Sequence, residues 1–102
     1  MGREAARVYT SSEDIALLER QVETLAVNAR VRVRTRDGSV EEGIVTVTPT
    51  VQVFVDADGN EGLNGVVKLE DLRRPGWNGE IWLGDIVRIE HLDSVVMGVS
   101  KA

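Results

Sequence analysis

The sequence predicts a mainly β fold with one N-terminal α-helix, its strands forming a strongly bent five-stranded antiparallel sheet or small barrel. Three features of the 102 residues carry this prediction. Two runs that alternate apolar and polar residues flank an Asp-Gly turn at Arg36-Asp37-Gly38-Ser39. A single amphipathic stretch precedes them, and glycines and prolines break the remainder into short apolar runs.

The helix is expected over residues 11–28. Ile15, Leu18, Val22 and Leu25 recur at helical spacing and make one apolar stripe. Ser11 or Ser12 can cap it, Glu13 and Asp14 suit the positive end of the helix dipole, and Asn28 is a plausible stop. One greasy stripe needs a sheet to cover, which places the helix across an open end or face of the β-structure.

In the first strand Val31, Val33 and Thr35 point one way and Arg30, Arg32, Arg34 and Arg36 the other. Asp37-Gly38 then turns the chain into Ser39 to Thr48. A two-residue turn sets Arg34 opposite Glu41, and a three-residue bulged turn sets Arg32 opposite Glu42. Either register yields a cross-strand ion pair. Gly43 permits sharp curvature in the second strand, and Pro49 ends it for lack of an amide donor.

A third strand is expected at Val51, Val53 and Val55, alternating with Gln52, Phe54 and Asp56. Asp56 to Gly62 reads as a turn, Val66 to Leu69 as a fourth strand, and Arg73 to Gly79 as a long loop. Gly84-Asp85 introduces the fifth strand through Ile86, Val87, Ile89 and Leu92, with Val95 to Met97 as an extension. The whole chain, 1–102, reads as one domain, with the helix at 11–28 and the β-structure at 29–97.

Composition narrows the function classes. Cysteine is absent, which removes disulfides and thiolate metal sites. No apolar run near Met1 suits a signal peptide or a membrane span, so a soluble cytoplasmic protein is expected. His91 is the only histidine and has no Cys or His companion for a metal shell. Asp56, Asp58 and Glu61 miss the spacing of a calcium loop. No local Ser, His and Asp arrangement suggests catalysis, so neither an enzyme nor a cofactor or metal is expected. The net charge of −5 argues against non-specific nucleic-acid binding, yet the arginines from Arg30 to Arg36 form a local basic stripe.

The run from Ala29 through Arg36-Asp37-Gly38 to Gly43-Ile44-Val45 resembles the first Sm motif, and Leu83-Gly84-Asp85-Ile86-Val87-Arg88-Ile89 resembles the second. More closely, the chain from Val8 to Leu92 is similar to an uncharacterised family of small bacterial proteins with a variant Sm-like (Lsm/Hfq-like) fold. The resemblance implies a bent, SH3-like sheet capped by a helix, self-association into a dimer or small ring, and RNA as a partner. Arg32, Arg34, Arg73, Arg74 and Trp77 are then the candidate RNA-contacting residues, through phosphate pairing and base stacking. The chain departs from the Sm pattern where Pro49-Thr50 and Val53 stand in place of the motif's Asp and Asn, and where Leu83 precedes Gly84 in place of Arg or Lys. The usual base pocket is therefore not expected, and a protein–protein assembly module is the alternative.

Overall fold

The computed structural model describes residues 3–71, 73–74 and 78–92. The elements in chain order are β1 (Arg3–Glu4), α1 (Ser12–Thr24), β2 (Arg30–Thr35), β3 (Val40–Val45), β4 (Gln52–Val55), β5 (Glu61–Asn64), β6 (Val66–Glu70), β7 (Asn78–Trp82) and β8 (Ile86–His91). A 3-10 turn over Leu83–Asp85 joins the last two. The strands form an antiparallel five-stranded sheet in the order β7-β6-β3-β2-β8 and a three-stranded sheet in the order β1-β4-β5.

Helix α1 starts where Ser11 accepts a hydrogen bond from the Asp14 amide at 3.1 Å, so Ser11 is the cap. It stops at Thr24, earlier than Asn28, which takes a positive φ of 70° in the turn leading to β2. Leu18 and Leu25 are buried from the helix side, and they share one core with Val31, Val33, Val45, Val67, Leu69 and Leu83. Gln21 Nε2 donates to the Ile86 carbonyl at 3.3 Å, and the Thr24 carbonyl lies 2.7 Å from His91 Nε2. The last turn of the helix is thus held to both the start and the end of β8.

Both hairpins use the same turn. The Thr35 amide donates to the Ser39 carbonyl and the Gly38 amide to the Thr35 carbonyl, while Asp56, Asn60 and Gly59 repeat that arrangement between β4 and β5. Gly38 and Gly59 have φ of 88° and 85°, a region open to residues without a Cβ. At Gly43 the demand is space. A Cβ there would lie 2.7 Å from the Glu70 carbonyl oxygen and 3.0 Å from Leu69 Cβ, so β6 crosses directly over it where β3 and β6 pair at Ile44 and Val45.

The expected mainly β fold with one helix and a five-stranded antiparallel sheet is found, in its open form: the described strands make two sheets and do not close into a barrel, and β1 pairs with β4 in parallel. Two details differ from expectation. The five-stranded sheet contains β7, expected as the end of a loop, and β4 belongs to the second sheet instead. The alternation in β4 is also inverted, with Phe54 1% exposed and Val53 51% exposed. Phe54 turns inward because it meets Trp82 of β7 edge to face, with centroids 5.1 Å apart, a larger apolar gain than a valine provides. The expected strand extension at Val95 to Met97 lies outside the described residues.

Candidate functional site

The three-residue turn selects the second of the two registers. Arg32 faces Glu42 of β3 on one side and Glu90 of β8 on the other. Its Nη2 lies 2.7 Å from Glu42 Oε2, to which Nε also donates at 2.7 Å, and its Nη1 lies 3.9 Å from Glu90. The Arg32 pKa is raised, first by the Glu42 hydrogen bond and then by its charge. Solvent reaches both partners and screens the attraction between them.

The same network reaches the chain after β6. Arg73 Nη2 lies 4.0 Å from Glu42 Oε1, and Asp71 takes the Arg73 Nε at 3.5 Å and the Arg74 Nε at 3.1 Å. The Arg73 amide also donates to Asp71 at 2.9 Å. That backbone bond is the first cause of the lowered Asp71 pKa. Charges of alternating sign therefore run from Glu90 through Arg32, Glu42, Arg73 and Asp71 to Arg74.

Of the sequence candidates, the structure brings Arg32 and Arg73 together on Glu42 and ties Arg74 to Asp71. Arg34 is exposed one row further along β2, opposite Val40 of β3 and Arg88 of β8. Trp77 lies outside the described residues. Sequence reading overlooked Arg88 because only the β2–β8 register makes it a neighbour of Arg34. Among the described residues, no group of three or more His, Cys, Asp and Glu side chains is placed to hold a metal ion, and no helix is long and apolar enough to cross a membrane.

Two open clefts lie away from this face. One, of about 320 Å³, lies along the segment that joins β3 to β4, between Val47 and Phe54; β3 ends at Val45, before the Pro49 expected to stop it. The other, of about 430 Å³, opens between the β2–β3 turn and Trp82. Arg36 spans its edge, donating through Nη2 to the Gly84 carbonyl at 3.0 Å. The second is lined by Thr35, Asp37 and Ser39, but the Thr35 and Ser39 hydrogen bonds hold the Asp37 pKa down, which makes its carboxylate a weaker base than a free one.

Residues 2–92 match the family described as Domain of unknown function (DUF3247). The chain belongs to this family. The DUF3247 chain is also similar to a solved structure, the crystal structure of XC5848 from Xanthomonas campestris, which adopts a novel variant of the Sm-like motif. The two share 36% identity with a TM-score of 0.84, over 90% of this chain and 99% of that one. The fold of this DUF3247 member is thus a variant Sm-like fold, mainly β with one helix and a second small sheet. No curated protein matches the chain.

Proposed function

We propose that this DUF3247 chain is a non-enzymatic, cytoplasmic interaction module that self-associates through the edges of its five-stranded sheet. One observation carries the reading: β7 and β8, at opposite ends of one sheet, each pair on a single side among the described residues. An unpaired edge presents a row of N–H and C=O groups that a further strand completes. Joining β7 of one copy to β8 of the next is a head-to-tail contact, which gives a ring where the rotation closes, whereas like edges meeting give a two-fold dimer.

Protein assembly is favoured over RNA contact because of where the arginines go. Arg32, Arg73 and Arg74 are already opposed by Glu42, Glu90 and Asp71, so phosphate would have to displace carboxylates to reach them. The net charge of −5 adds repulsion at long range.

Light scattering across a concentration series tests the assembly. The wild type is expected above its single-chain mass of 11.2 kDa. Glu80→Pro, at an exposed β7 position whose amide faces away from β6, is expected to return it toward that mass with the fold intact by circular dichroism. A single-chain mass at every concentration overturns the reading. Salt-dependent binding of a short RNA that is lost when Arg73 and Arg74 are replaced together would support the RNA role instead.

A further inference from the structure

The outer face of the five-stranded sheet sets two cations against each other. Arg34 and Arg88 are Cα partners in the antiparallel β2–β8 ladder, and both are exposed. Side chains of directly paired residues leave the same face with Cβ atoms about 4.5–5.5 Å apart, and like charges so placed oppose the pairing. Among the described residues no carboxylate lies within ion-pair distance of either guanidinium. One row along, Arg32 of β2 sits between Glu42 of β3 and Glu90 of β8. The ladder shifts register directly after the pair, between Arg34 and Thr35, leaving Val87 58% exposed beside it. Val40, 46% exposed, faces Arg34 from the other side.

We propose that Arg34 and Arg88 together form a binding point for one phosphoryl group. Each guanidinium is a planar fork that donates two parallel hydrogen bonds. A carboxylate has acceptor sites enough for two forks but holds them in one plane with a single charge, whereas a tetrahedral phosphate presents its oxygens in several planes and carries up to two charges. Two positive charges also match a phosphate dianion, and binding it converts the repulsion across the ladder into attraction on both sides. The neighbouring row sets the size of the ligand. A polyanion continuing along β2 toward Arg32 would bring its next phosphate to a row where two carboxylates, Glu42 and Glu90, flank the one cation, so the site suits one isolated group, with Val40 and Val87 as an apolar rim for whatever carries it. This site does not depend on the assembly reading, because the two side chains leave the face of the sheet and not its edge.

The test is a titration of the full chain, followed by backbone amide and arginine Nε resonances. Inorganic phosphate, ribose 5-phosphate and a short single-stranded RNA are compared with sodium chloride at equal ionic strength. Saturable shifts confined to Arg34, Arg88, Val40 and Val87 are expected with phosphate and with ribose 5-phosphate. The tighter of the two identifies free phosphate or a phosphorylated small molecule as the source, and the RNA is expected to bind no more tightly than ribose 5-phosphate. R34Q and R88Q are each expected to weaken binding about tenfold, the loss of one charge-assisted fork. Each is also expected to melt no lower than the wild type at low salt, since removing one charge relieves the repulsion. Identical shifts with chloride, or binding unchanged in the R34Q/R88Q double variant, overturn the proposal. RNA binding that strengthens with chain length overturns the single-group form of it.

Discussion

Asn64 is 2% exposed, and its amide joins three separate segments. Nδ2 donates to the Arg7 carbonyl at 3.0 Å, while Oδ1 accepts from the Gly65 amide at 2.8 Å and the Gly84 amide at 3.0 Å. The N-terminal arm, the β5–β6 corner and the 3-10 turn before β8 thereby meet on one side chain. Asn64→Ala would leave two amides and a carbonyl without that partner, each orphaned group costing about 1–3 kcal/mol if it stays buried. A loss of at least about 2 kcal/mol in urea unfolding is expected, and a variant as stable as the wild type would show that water replaces the amide. Nothing in the sequence distinguishes Asn64 from the turn-forming Asn60 four residues earlier, since both lie in a Gly- and Asn-rich stretch. Its role depends on Arg7 and Gly84, remote in sequence, arriving at the same place.

At the scale of elements, the β2–β3 hairpin is locked by Asp37. Its carboxylate accepts from Thr35 Oγ1 at 2.6 Å and from the Ser39 amide at 2.9 Å. These bonds, Thr35 first, hold its pKa down from 3.8 to about 2. The folded chain therefore keeps this charge to lower pH than the unfolded chain does. The stabilisation is complete above the unfolded pKa and is lost as pH falls from there through about 2. Asp37→Asn keeps the shape and cannot titrate, so its stability deficit relative to the wild type is expected to be constant near neutrality and to shrink between pH 4 and pH 2. Parallel acid limbs in the two proteins would show that Asp37 does not sense folding. The β4–β5 hairpin is built on the same plan, with Asp58-Gly59 where β2–β3 has Asp37-Gly38. The shared Asp-Gly stands in the sequence but does not by itself mark β5, because Glu61 to Asn64 carries a single large apolar residue, Leu63, too few for a period to show.

Over the whole molecule, the two sheets are joined through Phe54 and Trp82, with the Arg3 guanidinium 5.2 Å from the Phe54 ring centroid. Phe54→Ala removes the largest side chain in the fully buried set and is expected to cost about 3–5 kcal/mol. If the sheets unfold as one unit, the urea midpoint falls while the slope of the transition is unchanged. A shallower slope or a second transition would show that the three-stranded sheet melts separately. The outer face of the larger sheet also takes its character at this scale. The three arginines of β2, Arg30, Arg32 and Arg34, look equivalent along the chain, yet strand order gives Arg32 two carboxylates and Arg34 another arginine.

The sequence by itself determined the elements whose signals are local. Helix α1 follows from its capping serine and apolar stripe, and the first hairpin from Asp-Gly between alternating runs, while the Sm-like character was implied by the resemblance of Ala29 to Val45 and Leu83 to Ile89 to the two Sm motifs. Tertiary structure decided what depends on residues meeting across long separations. It turned Phe54 inward, recruited Glu61–Asn64 and Asn78–Trp82 as strands, and set Arg88 beside Arg34. The physical reason is that period and turn chemistry are properties of neighbours in the chain, whereas strand partners and ion pairs are settled by which edges meet and which apolar side chains bury most surface together.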